Sequence, residues 1–274
     1  MTREQMFGRP APERGLLRTI VVAIFVLALP LALITTTIRV VISEQAVYDY
    51  AVKDYGAELH SGIPQTQLIA ANHLIHDYLV NGDAGPLAPQ ITNSDGTTAP
   101  LFSAKETAHM ADVRSLVQLM FRVQMLAVAL VLSLAVVLIA LWPTRVLAAA
   151  ALYSGLVMTS IIGIVGVLAM TGFDAAWSQF HQIAFTNNLW ELNPLTDHLI
   201  QMYPEAFWQD VSTALGMFLL AQSLGLAALS AAYLFFTRNT TGVIEPRERP
   251  EQPERDGYPR RQQLAPPNPR QYIR

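Results

Sequence analysis

A histidine near the middle of the chain lies among acidic residues at helical spacing. If residues 105–113 form a helix, Glu106, His109 and Asp112 follow one another at intervals of three and share one face. A carboxylate there would hold the imidazole in one tautomer and raise its basicity, as a general base requires. Ser103 and Glu106 have the spacing of a capping box, which favours a helix start here. The alternative to a catalytic role is a solvated helix entry.

A second histidine lies in an aromatic-rich stretch at residues 177–194, where His181 precedes Asn187, Asn188 and Trp190. Side-chain amides of asparagine are suitable donors to a developing oxyanion. An aromatic belt at the lipid headgroups accounts for most of the rings in this stretch. A belt has no need for a histidine beside an asparagine pair, so we take the segment as a candidate site.

Arg114, Gln118 and Arg122 recur at four-residue spacing after His109. Charged side chains at the end of a membrane helix either reach the headgroups or line a polar cleft, and the spacing is compatible with both.

A metal site is the third kind of chemistry to consider, since His73 and His76 lie three residues apart. Two ligands make no zinc site, and the sequence predicts no metal and no cofactor. Cysteine is absent, which excludes disulfides and thiol nucleophiles. The His-Glu-x-x-His, Gly-x-Ser-x-Gly and phosphate-loop motifs are also absent.

The composition indicates the elements that position these residues. Of the 274 residues, 52% are hydrophobic and only 14% are charged, whereas soluble domains have about 25% charged residues. Four apolar runs are long enough to cross a bilayer, which takes about 20 residues. The net charge of -3 gives no basic patch for nucleic acid, so membrane lipid is the expected partner.

The predicted fold class is an all-α membrane protein with four transmembrane helices. A small extracytoplasmic domain joins helices one and two, and an aromatic-rich outer loop joins helices three and four. The predicted order is a cytoplasmic N-terminus at 1–15, a first spanning helix at 16–42, an extracytoplasmic domain at 43–115, a second spanning helix at 116–142, a cytoplasmic turn at 143–145, a third spanning helix at 146–170, an extracytoplasmic loop at 171–210, a fourth spanning helix at 211–236 and a disordered cytoplasmic tail at 237–274.

Basic residues determine the predicted orientation, because loops rich in Lys and Arg stay in the cytoplasm. The arginines before helix one, Arg145 and the tail arginines fall on one side, which places both termini in the cytoplasm. The tail, rich in Pro, Arg and Glu, is too polar to bury a core.

Shorter patterns predict details of the packing. Residues 64–79 have apolar side chains at helical spacing before the stop signal at 81–82, which predicts a helix. The turn residues at 94–96 predict a short hairpin. Gly155, Gly163 and Gly166 suit close packing of the third spanning helix. The tight turn at 143–145 keeps helices two and three adjacent, so His109 and His181 can meet at the outer interface.

The chain resembles a bacterial integral membrane family that includes the lipoprotein intramolecular transacylases. The resemblance rests on residues 106–113 (ETAHMADV), 180–190 (FHQIAFTNNLW) and 193–207, and more weakly on 48–55 and 76–79. It covers the chain from helix one through helix four but not the tail.

The resemblance implies an enzyme that moves the sn-2 acyl chain of a diacylglyceryl lipoprotein to the α-amino group of its own N-terminal cysteine. It gives His109 and His181 the catalytic roles, and we favour His181 as the base. The resemblance implies no cofactor. It implies that the substrate is a diacylglyceryl lipoprotein in the bacterial cytoplasmic membrane. The supporting residues that we predict around the two histidines are Glu106, Asp112, Asn187, Asn188, Trp190, Arg114 and Arg122.

Two other functions remain open from the residues alone. One is a non-enzymatic membrane protein that binds exported or membrane partners through its outer domain. The other is an outer-face metalloenzyme that uses His73, His76 and one further ligand.

Overall fold

The computed structural model describes residues 11–82, 85–170 and 172–238. Four long helices dominate it and confirm the four predicted apolar runs: α1 (Ala11–Ser43), α5 (Ala104–Leu141), α6 (Thr144–Met170) and α9 (Glu205–Phe236). At 1.5 Å per residue, the 38 residues of α5 extend about 57 Å, roughly twice the hydrocarbon core of a bilayer. Leu126 on α5 and Leu229 on α9 are more than 70% exposed, as lipid-facing side chains should be. The predicted tail, apart from residues 237–238, lies outside the described residues, as do residues 1–10.

The shorter elements lie in the two connections at one end of the bundle. Because spanning helices alternate in direction, the α1–α5 connection and the α6–α9 connection lie at the same end. The first contains α2 (Gln45–Asp54), α3 (Ala57–Ser61), α4 (Gln65–Val80), β1 (Gln90–Thr92) and β2 (Thr98–Pro100); the second contains α7 (Phe173–Ala184) and α8 (His198–Met202). Helix α4 and the antiparallel β1–β2 hairpin were both predicted. The hairpin makes the fold mostly rather than entirely helical.

At three predicted boundaries the structure adds helix outside the predicted spanning segments. The second spanning helix was predicted to begin at 116, but α5 begins at Ala104, so the segment containing His109 is the first part of the same helix. The loop predicted at 171–210 contains two helices, α7 and α8. The fourth helix begins at Glu205 rather than 211, because Pro204 suits the position before a first helical turn.

The spanning helices pack in two close pairs, α6 with α9 and α1 with α5. At Gly155 an added Cβ would lie 2.9 Å from the carbonyl oxygen of Ser223 and 3.1 Å from the Cβ of Ala227, so only glycine permits this approach to α9. At Gly163 and Gly166 an added Cβ would meet nothing within 4 Å. The packing role predicted for these two glycines is therefore wrong, whereas that of Gly155 is confirmed.

A polar contact inside the bundle joins α1 and α5. Arg39 donates from Nη1 to Oε1 of Gln124 at 2.9 Å, and its guanidinium lies 4.5 Å above the ring of Phe121. Gln124 donates in turn to the hydroxyl of Thr36 at 3.2 Å. An arginine near lipid is expected to find partners of this kind, because an unpaired charge there is costly.

The two connections share one hydrophobic core, so they form a single extramembrane domain. Buried side chains such as Val52 of α2 and Leu68 and Ile75 of α4 lie in one cluster with Met202 of α8 and Phe207 of α9. Asn72 is fully buried and joins both connections, because its Nδ2 donates to the carbonyl of Tyr48 and its Oδ1 accepts from the hydroxyl of Tyr203, both at 2.6 Å. Burial also raises the pKa of Tyr203, which keeps this hydroxyl protonated as a donor.

Arg114, Gln118 and Arg122 form a polar row on α5, and the first two of them bind the end of α4. Arg114 donates from Nη2 to the carbonyls of Asn81 and Gly82, at 3.1 and 2.6 Å, and its guanidinium lies 4.7 Å above the ring of Tyr78. Gln118 donates to the carbonyl of Leu79 at 2.7 Å. These carbonyls have no partner within α4, so the row caps a helix end. It was predicted to line a cleft or to reach the headgroups, and Arg114 and Gln118 instead hold the extramembrane domain to α5.

Candidate active site

His109 is positioned by the first turn of α5. The predicted capping box is confirmed, since the hydroxyl of Ser103 accepts from the amide of Glu106 at 3.3 Å and the carboxylate of Glu106 accepts from the amide of Ser103 at 2.8 Å. The other carboxylate oxygen of Glu106 accepts from the amide of Leu199 at 2.7 Å. Glu106 is 1% exposed and has its hydrogen bonds directed at backbone, so it fixes α5 against α8 and makes no hydrogen bond to His109.

His181 is positioned by α7, the amphipathic helix that follows α6. Its Nδ1 lies 2.8 Å from the carbonyl oxygen of Trp177, one turn earlier. A carbonyl oxygen only accepts, so Nδ1 must hold the hydrogen, and the neutral ring has its lone pair on Nε2. This geometry leaves Nε2 as the atom that can take a proton.

The two imidazoles lie against each other at the junction of α5 and α7. Their ring centroids are 6.1 Å apart and the ring planes are tilted by 36°. Phe185 contacts both, with its centroid 5.1 Å from that of His109 and 5.8 Å from that of His181. A hydrogen bond places its partner about 2.8–3.0 Å from a ring nitrogen, so one ester group can reach both rings.

Both histidines are buried, at 6% and 7% exposure for His109 and His181. Within the described residues, Nδ1 of His109 is the one buried side-chain nitrogen or oxygen with no hydrogen-bond partner. Buried polar atoms are normally paired, so this nitrogen is available to a substrate atom. Burial lowers the pKa of His181, and the hydrogen bond to the Trp177 carbonyl opposes this in part. The ring is thus held neutral at pH 7, the form that a general base needs.

Aromatic side chains surround His181. Trp190 stacks on it at a centroid distance of 5.0 Å and an interplanar angle of 28°, and Trp177 contacts it edge-on at 4.6 Å. Trp177 in turn stacks on Trp208 of α9 at 5.0 Å. The rings fix the orientation of the imidazole and exclude water from one side of it.

The asparagine pair has a different arrangement from the one predicted. Asn187 donates from Nδ2 to Oδ2 of Asp112 at 2.9 Å, and its Oδ1 accepts from the amide of Leu189 at 3.0 Å. Asn188 is exposed, as is Arg122 on α5. In the described ranges neither of these two side chains makes a hydrogen bond or ring contact with the histidines.

The structure thus brings together His109, His181 and Trp190, with Asp112 and Asn187 bonded to each other beside them. It places Glu106 and Arg114 at backbone carbonyls or amides elsewhere. Within the described residues no group of three or more His, Asp or Glu side chains is arranged to hold a metal, and His76 instead bonds the carbonyl of Ser43 at 3.0 Å.

Sequence reasoning missed two residues of the site, Trp177 and Phe185. Both were assigned to a membrane belt because aromatic residues are common at headgroup depth. The missed signal was spacing: Trp177, His181 and Phe185 recur every four residues, as on one face of a helix. The proximity of the histidines was expected from the α5–α6 turn, but α5 and α6 pack mainly on other helices. His181 instead reaches His109 from α7.

With this geometry in place, comparison with known proteins is informative. The model of the family described as lipoprotein intramolecular transacylase Lit matches residues 23–208. The chain belongs to the Lit family. Membership makes it a bacterial membrane-bound lipoprotein transacylase, as the resemblance implied, and decides against the non-enzymatic alternative. No curated protein sequence matches the chain.

Solved structures of Lit show the same fold. One structure of Lit from Bacillus cereus has a TM-score of 0.69 at 15% identity and covers 82% of this chain and 99% of that one. Structures of two histidine variants of the same protein, one with arginine and one with alanine, have TM-scores of 0.65 and 0.63 at 14% identity. They cover 87% and 83% of this chain and 99% and 97% of those chains.

Proposed function

We propose that the chain transfers the sn-2 acyl chain of a diacylglyceryl lipoprotein to the α-amino group of the same lipoprotein's N-terminal cysteine. The product is a lyso-form lipoprotein. The observation that carries the proposal is the pair of buried imidazoles 6.1 Å apart, one with its tautomer fixed and the other with an unpartnered buried nitrogen.

The proposed reaction needs one proton to move between two atoms of the substrate. The neutral α-amine attacks the carbonyl carbon of the sn-2 ester, a carbon–nitrogen bond forms, and the carbonyl oxygen becomes an oxyanion. Nε2 of His181 takes the proton from the amine nitrogen. A hydrogen on Nδ1 of His109 would donate to the oxyanion. When the bond to the glycerol oxygen breaks, His181 returns its proton to that oxygen and both histidines regain their starting states.

Location also favours this substrate. The site lies where α7 follows the end of a spanning helix, so it is close to the depth of lipid esters. The arginines at the other end of the bundle, such as Arg145 in the α5–α6 turn, favour cytoplasmic termini and a site on the outer face. Lipoproteins are anchored on that face with their N-terminal cysteine at the membrane surface.

The test is mass spectrometry of the N-terminal lipopeptide of one abundant lipoprotein, from cells that express the native chain or a variant. The native chain should give the lyso-form, and His109→Ala and His181→Ala should leave diacylglyceryl peptide. His73→Ala, on the exposed face of α4, is the matched control and should give the lyso-form. Lyso-form from either site variant at the native rate would refute the paired-histidine mechanism.

A further inference from the structure

The two histidine-bearing segments are joined by a hydrogen bond that the proposed chemistry does not use. Nδ2 of Asn187 donates to Oδ2 of Asp112 at 2.9 Å across 75 positions of sequence. Asp112 lies one turn after His109 on α5, and Asn187 lies six residues after His181. The bond therefore joins the helix that carries His109 to the segment that follows His181.

The amide of Asn187 is locked in one orientation. Its Oδ1 accepts from the amide of Leu189 at 3.0 Å, in an Asx-type turn that leaves Nδ2 directed at Asp112. Rotating the amide by 180° would place a donor against the Leu189 amide and an acceptor against the carboxylate, so the flipped form loses both bonds. Hydrogen bonds to a charged acceptor are about twice as strong as neutral ones.

The segment held by this bond is the one that packs on the histidines. Phe185, two residues before Asn187, contacts both imidazoles, and Trp190, three residues after it, stacks on His181. Releasing Asn187 would therefore free both rings that fix the separation and tilt of the two histidines.

We propose that Asp112 and Asn187 are positioning residues, a clasp that sets the distance between the two imidazoles. The inference rests on the proposed function for its catalytic consequence. It assigns to Asp112 no contact with substrate and to Asn187 no role as an oxyanion donor. A misplacement of about 1 Å in a catalytic site can lower the rate about 100-fold. Loss of the Asp112–Asn187 bond should have an effect of up to this size.

Exchanging the two side chains tests the clasp. Asp112→Ala and Asn187→Ala should each lower kcat about 10- to 100-fold, with a smaller effect on KM. Asn187→Asp should also be slow, because two carboxylates then face each other. The double variant Asp112→Asn with Asn187→Asp restores a donor and a charged acceptor, and its kcat should return to within a few-fold of native. Asp112→Asn alone keeps a neutral acceptor for Asn187, so its kcat should fall less than that of Asp112→Ala.

Controls and an independent readout separate the possible outcomes. Ser115→Ala and Thr186→Ala, exposed neighbours on the two segments, should have native rates. Hydrogen exchange of the Leu189 amide should accelerate in Asn187→Ala and return toward native in the exchanged double variant. An exchanged variant as slow as Asn187→Asp, or single alanine variants at full rate, would overturn the clasp. If the clasp variants are fully active while the His181→Ala variant is inactive, the clasp alone fails; if the His109→Ala and His181→Ala variants are both active, the proposed function fails.

Discussion

Glu106 offers a sharp test of how the site is held, because its carboxylate is buried and its hydrogen bonds join two segments of the chain. One oxygen accepts from the amide of Ser103 at 2.8 Å and the other from the amide of Leu199 at 2.7 Å. Glu106→Ala removes both acceptors and leaves two backbone donors without their partners. Glu106→Gln supplies one acceptor but turns an NH₂ group toward the second donor.

The expected loss of stability follows from these bonds. Loss of the capping interaction costs about 1 kcal/mol. Loss of a hydrogen bond to a charged acceptor costs about 1.5–3 kcal/mol. Together they give about 2.5–4 kcal/mol for Glu106→Ala, which corresponds to a fall in Tm of roughly 5–15 °C for a chain of this size. Glu106→Gln should fall between the native chain and the alanine variant.

The assay is thermal unfolding in a mild detergent, with Glu58→Ala as the control. Glu58 is an exposed acid in the first turn of α3, and its loss should change the free energy of unfolding by less than about 0.5 kcal/mol. A Glu106→Ala variant that unfolds with a native Tm would refute the assignment of this carboxylate as a buried tie between α5 and α8.

Three further predictions concern other contacts. Gly155→Leu should destabilise the bundle by about 1–3 kcal/mol in the same assay because its Cβ would strike the backbone of α9, whereas Gly163→Leu has open space and should not. Arg114→Ala should cost about 2 kcal/mol through the lost cap of α4, against less than about 0.5 kcal/mol for the exposed Arg122→Ala. Histidine NMR should show that the pKa of His181 lies below the ordinary histidine value of about 6.5. Because the unfolded chain then binds this proton more readily than the folded chain, the native protein should lose more stability than His181→Asn as the pH falls from 7 to 5. An equal loss of stability would contradict the direction of the pKa shift.

The spanning helices were predictable because lipid imposes a simple rule on length and polarity. A run such as 146–170 is expected to be a helix, because a helix satisfies its backbone hydrogen bonds within the segment and the run is far longer than the roughly 9–11 residues of a spanning strand. The start of α5 was harder, because the polar residues 104–115 continue the same helix outside the hydrocarbon region and hydropathy alone reads them as a separate segment. The capping box at Ser103 was the correct signal for that start.

The proximity of the two histidines was predictable, and the contacts around them were less so. Histidine is the side chain that can exchange a proton near pH 7, so His109 and His181 were candidates for the proposed proton transfer before the fold was known. The partners of Asp112 and Asn187 depend on how α7 folds back on α5, which is a tertiary arrangement. The sequence spacing predicted that Asp112 would lie beside His109. In the structure its carboxylate accepts a hydrogen bond from the side chain of Asn187, 75 residues later.

The absence of an obvious nucleophile among the residues of the site is consistent with the chemistry proposed. Amine and ester belong to one substrate, so the enzyme gains little from a covalent intermediate and much from holding the two groups in contact. Well-oriented intramolecular reactions reach effective molarities of about 10⁵ M or more. What remains for the protein is a neutral base in a dry pocket and a donor for the oxyanion. Two buried imidazoles meet that requirement when packing and the Asp112–Asn187 bond set their separation. The geometry of the site should therefore matter more to the rate than any single ionisable group.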